Sequence, residues 1–84
     1  IKGEVSLYPN PNGGARFYLN LEGKLTTDAQ VEIVDMIGRT IHKQDVQKGA
    51  ADIIITPMKV LKAGAYILRF VTPQQTITKK FVVE

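Results

Sequence analysis

The sequence predicts an all-β fold: an immunoglobulin-like antiparallel sandwich of about seven strands in two sheets. Three observations support this fold class. Most segments alternate apolar and polar residues with a period of two, which is typical of strands with one buried face. No stretch of about eleven residues keeps the spacing of an amphipathic helix. Turn residues also separate the alternating segments at short, fairly even intervals, as they do in two-sheet sandwiches.

Each strand is predicted from a local pattern. In chain order, the predicted strands span residues 4–8, 15–21, 30–35, 40–46, 51–56, 65–72 and 75–83. Their alternating faces are Val5 and Leu7; Ala15, Phe17, Leu19 and Leu21; Val31 and Ile33; Tyr66, Leu68 and Phe70; and Ile77, Lys79, Phe81 and Val83. The run Ile53-Ile54-Ile55 is β-branched throughout, which favours a strand buried on both faces. The fourth strand follows from the turn that precedes it.

That turn is the stretch Asp35-Met36-Ile37-Gly38, which predicts a tight hairpin between the third and fourth strands. Aspartate is favoured at the first position of a type I turn and glycine at the fourth, where it accommodates a left-handed conformation. Met36 and Ile37 at the tip are expected to pack back onto the sandwich, with contact to a partner as the alternative.

A second local pattern, Gly64-Ala65-Tyr66, opens the sixth strand. Glycine accommodates a positive φ at this point. Tyr66 is similar in position to the tyrosine corner of immunoglobulin-like sandwiches, in which the hydroxyl bonds to backbone upstream. Both Gly64 and Tyr66 therefore have a structural interpretation.

The segment LYPNPNGG, residues 7–14, is called the N-terminal box below, and it interrupts the first strand soon after that strand begins. Pro9 and Pro11 each remove a donor from the sheet ladder and favour extended geometry at Tyr8 and Asn10. We expect a stiff, extended exit from an edge strand, turned back by the Asn-Gly-Gly that closes the box.

Length and composition predict a single domain of 84 residues that begins at Ile1, which we expect to be a fragment of a larger protein. The absence of cysteine excludes disulfides and thiolate metal sites. A net charge of +3 comes from 11 basic and 8 acidic residues spread along the chain. Nucleic-acid binding uses a clustered basic face with stacking aromatics, so no nucleic-acid partner is expected. No apolar run approaches the roughly 20 residues of a transmembrane helix.

No pattern of side chains predicts catalysis, a metal site or a cofactor site. His42 is the only histidine and is predicted on the polar face of a strand. Ser6 is the only serine and lacks the glycines of a nucleophile elbow. The carboxylates are scattered, without the spacing of a calcium loop. We therefore expect a protein that is not an enzyme and needs no cofactor.

Five motifs, taken in order, resemble one family. They are the box LYPNPNGG, the aromatic strand ARFYL, the hairpin VEIVDMIGRTI, the strand entry LKAGAYILRFV and the terminal TKKFVVE. In this order and spacing, the chain resembles the type A C-terminal sorting domains of the Bacteroidetes type IX secretion system. The resemblance covers nearly the whole chain and departs from the family at residues 56–60, where the connection is longer. The residues that it marks as structural are Tyr8, Pro9, Asn10, Pro11, Asp35, Gly38, Arg39, Gly64 and Tyr66.

The resemblance implies a sorting signal at the C-terminal end of a carrier protein, which is exported through the periplasm to the outer-membrane surface or beyond. It implies recognition by the type IX translocon and attachment components, cleavage near or before Ile1-Lys2-Gly3, and linkage of cargo to anionic lipopolysaccharide. Recognition is implied mainly at residues 76–84. Because a terminal edge strand can accept a partner strand, we expect the recognition residues to be Thr78, Lys79, Lys80, Phe81, Val82, Val83 and Glu84.

Alternatives remain at this point. Phe81 and Val83 would also serve as ordinary core residues, and Lys80 would also protect a sheet edge from unwanted pairing. The domain could instead be a retained docking module that binds partner proteins or lipopolysaccharide, or a generic fibronectin-like spacer or adhesion module. Exposed sheet edges also predict a weak homodimer.

Overall fold

Residues 5–84 form seven strands, each beginning and ending within two residues of its predicted bounds. They are β1 (Val5–Tyr8), β2 (Phe17–Leu21), β3 (Ala29–Asp35), β4 (Thr40–Val46), β5 (Asp52–Ile55), β6 (Gly64–Val71) and β7 (Thr76–Val83). The computed structural model describes residues 5–84, so the predicted start of the first strand at Glu4 lies outside the described residues. Residues 5–84 contain no helix long and apolar enough to cross a bilayer.

The strands form two antiparallel sheets, with the orders β1-β2-β5 and β4-β3-β6-β7. β4 extends the sheet of β3, β6 and β7, which is the place of the fourth strand in variable-type immunoglobulin sandwiches. This arrangement confirms the predicted fold class. Each sheet ends in two edge strands, so β1 and β5 border one sheet while β4 and β7 border the other.

The core lies between the two sheets and is built from the alternating residues that face inward. Phe17 of β2 and Phe81 of β7 belong to opposite sheets, and their ring centroids are 4.9 Å apart. Tyr66 stacks on Phe81 as well, with a centroid separation of 5.6 Å. Phe81 therefore joins the two sheets at the centre of the core, where aromatic pairs contribute beyond their buried area.

Two predictions about burial are wrong. Ile53 and Ile55 are buried as expected, but the side chain of Ile54 is 58% exposed. β5 is an edge strand of a three-stranded sheet whose outer face nothing covers among residues 5–84, so every second residue meets water. Ala15 is exposed as well, because β2 begins only at Phe17.

The predicted hairpin between β3 and β4 is confirmed. The Gly38 N–H donates to the Asp35 carbonyl at 3.0 Å, and Gly38 has a φ of 103°. The expectation that the tip packs onto the sandwich is wrong, since the side chains of Met36 and Ile37 are 56% and 81% exposed. The reason is local: the tight turn closes at Asp35 and holds both side chains beyond the last strand pair.

Candidate functional site: the C-terminal strand and its cover

The C-terminal strand β7 lies at an edge of the four-stranded sheet. It pairs with β6 along its whole length, from Val71 opposite Thr76 to Gly64 opposite Val83. Its other side has no neighbouring strand in the sheet order. An edge of this kind presents unpaired backbone groups with which a further strand can pair.

The N-terminal box covers the end of this edge. The Asn12 N–H donates to the Val82 carbonyl at 3.1 Å, and the Asn12 carbonyl accepts from the Glu84 N–H at 2.9 Å. The Val82 N–H donates to the Asn10 side-chain oxygen Oδ1 at 3.0 Å. The outward backbone groups at the end of β7 are therefore already used within the chain.

The side chain of Asn12 holds the box in shape. It is 6% exposed, and its Nδ2 donates to the Pro9 carbonyl at 3.1 Å while its Oδ1 accepts from the Gly14 N–H at 2.8 Å. A buried amide with both ends satisfied stabilises a loop, whereas the same amide left unpaired would destabilise it. The sequence predicts Asn12 only as part of a turn, and the signal for its further role is the ability of an asparagine side chain to bond backbone two residues on.

The extended geometry predicted for the box is wrong. The chain bends at Pro9, Asn10 and Pro11, and the Tyr8–Pro9 and Asn10–Pro11 peptide bonds are cis. The physical reason is the route, because the segment leaves β1 in one sheet and reaches the edge strand of the other sheet within a few residues. Tyr8 stays behind on the first sheet, where its ring stacks on Tyr18 with centroids 5.4 Å apart.

Three of the sequence motifs meet at Gly14. Its carbonyl accepts from the Leu61 N–H at 3.1 Å, just before β6. A Cβ atom built on Gly14 would lie 2.6 Å from the Leu61 carbonyl oxygen and 2.9 Å from Cγ1 of Val83. Only a residue without a side chain allows this approach, and the φ of 82° favours glycine independently.

The predicted recognition residues divide into two groups. Phe81 and Val83 are buried in the core, and Lys79 is half-buried on the same face of β7. The others are exposed on the opposite face, namely Thr78, Lys80, Val82 and Glu84. A partner that binds the folded domain can contact the exposed group directly. The buried group contributes indirectly, because its packing in the core holds β7 in position.

Part of the edge stays open beside the covered end. The backbone of Val82 points away from β6, and alternation along a strand directs the backbone of Lys80 and Thr78 to the same side. Within residues 5–84, no segment covers these two positions on that side. The structure thus offers a short free edge next to an exposed lysine.

The tyrosine corner predicted at the start of β6 is confirmed. The Tyr66 hydroxyl donates to the Lys62 carbonyl at 2.6 Å, and Gly64 has a positive φ of 152°. Because Tyr66 also stacks on Phe81, the corner connects the entry of β6 to the core residue of the terminal strand. Tyr66 and Gly64 therefore stabilise the start of β6, the strand that pairs with β7.

The remaining motif residues, Asp35 and Arg39, form the hairpin turn at the far edge of the same sheet. The Asp35 Oδ1 accepts from the backbone N–H groups of Ile37 at 3.0 Å and Arg39 at 2.9 Å. Its Oδ2 accepts from Arg39 Nε at 2.7 Å. The Arg39 backbone bond does most to hold the pKa of Asp35 below its ordinary 3.8; partial desolvation opposes it, and the guanidinium and the Ile37 N–H assist.

This pKa shift predicts a pH dependence of folding stability. A carboxyl whose pKa is lowered by folding stabilises the fold fully above its unfolded pKa, and loses that contribution as the pH falls through the folded value. We expect the stability difference between the wild type and Asp35→Asn to be constant above about pH 5 and to shrink below it. Chemical denaturation from neutral to acidic pH measures this difference.

The Asp35→Asn variant keeps a side-chain oxygen for the backbone N–H groups, so it isolates the charge from the turn. Asp45→Asn provides the matched control, because Asp45 is exposed on β4 and its carboxylate accepts only a long bond of 3.4 Å from Gln30 Nε2. A wild-type advantage over Asp35→Asn that stays constant down to about pH 2 would contradict the role of the charge.

The molecule is thus an immunoglobulin-like β-sandwich whose terminal strand is held and partly covered by its own N-terminal box. A family model for the secretion system C-terminal sorting domain matches residues 6–84. The chain belongs to that family. Its role is therefore in sorting by the type IX secretion system, with contact to the secretion machinery and export toward the outer membrane or cell surface.

Among solved structures, the chain is similar to PorZ, an essential bacterial surface component of the type-IX secretion system of the human oral-microbiomic Porphyromonas gingivalis. The two share 18% sequence identity and superpose with a TM-score of 0.70. The match covers 95% of this chain and 11% of the PorZ chain, and at this identity it shows the fold alone. No curated protein matches the chain.

Proposed function

We propose that this domain is the C-terminal signal that carries a secreted protein through the type IX translocon, after which it is cleaved off and the cargo is linked to anionic lipopolysaccharide. The observation that carries the proposal is the free edge of β7 at Thr78 and Lys80, directly beside the covered end of the strand. A receptor strand can pair with this edge while the core residues keep it in register.

The exposed side chains of β7 supply specificity in this proposal. Alternate residues of an edge strand project to one face, so a receptor that pairs with the backbone also meets Thr78, Lys80 and Val82. Lys80 offers a charge to a receptor carboxylate. The competing role of Lys80, protection of the edge against unwanted pairing, predicts no loss of sorting when its charge is reversed.

Cleavage and attachment are assigned to other components. The proposed cleavage position near Ile1-Lys2-Gly3 lies outside the described residues, on the N-terminal side of the folded sandwich. A sorting signal of this kind needs no catalysis and no cofactor of its own, because the attachment machinery cuts the chain and joins the cargo to lipopolysaccharide. The domain is proposed as a substrate of that machinery, not as an enzyme.

The experiment fuses residues 1–84 to an exported fluorescent protein in a type IX-competent cell. The variant carries Thr78→Glu with Lys80→Glu, and the matched control carries Lys24→Glu with Thr26→Glu. Each pair consists of one exposed lysine and one exposed threonine two positions apart, so the charge change is the same. Deleting residues 76–84 would be less informative, because it removes Phe81 and Val83 from the core.

We expect the wild type and the control to reach the surface, and the β7 variant to be secreted at least about tenfold less, as loss of one charge-assisted contact predicts. The fluorescence of surface and periplasmic fractions measures the difference. Equal secretion of the variant and the control contradicts recognition at this edge. Periplasmic retention of the wild type contradicts the sorting function itself.

A retained docking module is the second candidate, and the similarity to PorZ favours it. The matching sandwich is a small part of a surface component's own chain, so a sandwich of this kind can remain attached to its protein. The two candidates predict different masses for the surface product of the fusion. A product that lacks the mass of residues 1–84 supports cleavage, and an intact product supports docking.

A further inference from the structure

We propose that a cleft beside the β3–β4 hairpin binds an extended acidic peptide that carries an apolar side chain between its carboxylates. This cleft is separate from the free edge of β7, and the proposal does not depend on the sorting function. It rests on the shape of the cleft, the apolar groups exposed in it and the charges around it.

The cleft has a volume of about 510 Å³, which is within the range of sites that hold small ligands or a few side chains. One wall is the hairpin, which contributes Asp35, Arg39 and Ile41. The second wall is formed by residues 58–62, which lie in the connection between β5 and β6. Met58, Lys59 and Val60 of the connection at residues 56–60 therefore belong to the lining of the cleft.

Apolar side chains are exposed in the cleft to an unusual degree. Met58 is 94% exposed, Val60 is 66% exposed and Ile41 is 38% exposed. Single exposed apolar residues are common, but three that line one cleft form a surface suited to an apolar group of a ligand. Methionine is flexible and polarizable, so Met58 can adapt to side chains of different shape.

The charges around the cleft favour an anionic ligand. Among the described residues of its lining, Arg39, Lys59 and Lys62 are basic and Asp35 is the one carboxylate. The Asp35 carboxylate is already engaged by two backbone N–H groups and by Arg39 Nε. In the described part of the chain, no carboxylate forms an ion pair with Lys59 or Lys62. The two lysines are thus available to a ligand carboxylate.

The placement of these charges favours a peptide over an anionic lipid. Arg39 belongs to one wall and Lys59 and Lys62 to the other, with the exposed apolar side chains beside them. A peptide can place carboxylates on both sides of an apolar residue, whereas a lipid concentrates its charge at one end.

The experiment measures binding of a fluorescein-labelled nonapeptide, in which leucines alternate with glutamates, to the 84-residue chain by fluorescence anisotropy. A second peptide has lysine in place of glutamate, and a third has serine in place of leucine. The variants are Lys59→Glu and Met58→Ser. Their matched controls are Lys24→Glu and Ile54→Ser, which change exposed residues away from the cleft.

We expect the acidic leucine peptide to bind, and both other peptides to bind at least about tenfold more weakly. Lys59→Glu and Met58→Ser should each weaken binding of the acidic peptide by about tenfold, while the controls leave it unchanged. Binding should also weaken between about 0.05 and 0.5 M salt. Circular dichroism on each variant establishes that the fold is kept.

Three results would overturn the proposal. They are no binding at about 1 mM acidic peptide, equal binding by the cleft variants and their controls, and binding of phosphatidylglycerol vesicles by the wild type in preference to the peptide. The last result would assign the cleft to an anionic lipid surface.

Discussion

Phe81→Ala should lower the free energy of unfolding by about 3–5 kcal/mol, the usual cost of removing a fully buried phenylalanine ring. Phe81 is 0% exposed and contacts Phe17 of the opposite sheet and Tyr66 of the neighbouring strand. A domain of this length has a total stability of about 4–13 kcal/mol, so the loss is a large part of it. Denaturant unfolding of the purified domain measures the effect.

Val82→Ala is the matched control for Phe81→Ala, because Val82 is the next residue and its side chain is 42% exposed. We expect it to cost less than about 1 kcal/mol. A secretion defect in Phe81→Ala would then come from an unfolded signal, and not from a lost contact to a receptor. Similar unfolding costs for the two variants would contradict the central position of Phe81 in the core.

Gly14→Ala should destabilise the domain by about 2–4 kcal/mol. Two costs combine: a side chain at a φ of 82°, and a Cβ placed 2.6 Å from the Leu61 carbonyl oxygen and 2.9 Å from Val83 Cγ1. The three motifs that meet at Gly14 cannot keep their contacts without a shift of backbone. Thermal and denaturant unfolding measure the loss of stability.

Gly13→Ala is a close control for Gly14→Ala, since the two glycines are neighbours in the box. A Cβ on Gly13 meets no atom within 4 Å, and its φ lies outside the left-handed region. We expect a change within about 0.5 kcal/mol. Faster hydrogen exchange of the Val82 and Glu84 amides in Gly14→Ala alone would show that the cover of β7 has opened. Unaltered exchange in both variants would contradict the link between Gly14 and the end of β7.

Local interactions explain which features of the fold were predictable. The period of two placed most of the strands, because alternate residues of a strand face opposite sides whatever the strand pairs with. Two local features were equally predictable from the sequence, namely the hairpin at Asp35 and Gly38 and the tyrosine corner at Tyr66. Their hydrogen bonds join residues that are at most four positions apart. The burial of Ile54 was mispredicted because it depends on what lies across the sheet.

The candidate site was predictable only in part. The motif pattern predicted recognition at Thr78, Lys80 and the residues after them. Thr78 and Lys80 lie on β7, which is an edge strand. The bond between Asn10 and Val82 joins residues 72 positions apart, and no periodicity or spacing indicates such a pair. The cleft walls likewise come from the hairpin and from residues 58–62, which are separate segments of the chain.

The order of residues along the chain was enough to establish the strands, the hairpin turn at Asp35, the tyrosine corner at Tyr66 and the family. The strands and turns depend on residues close together in the chain, and the family depends on motifs in a fixed order. Only the folded molecule shows that the N-terminal box covers the end of β7 and leaves Thr78 and Lys80 open. The difference comes from hydrogen bonding at a sheet edge, where unpaired backbone groups bind whichever segment the fold brings to them. The box LYPNPNGG is that segment.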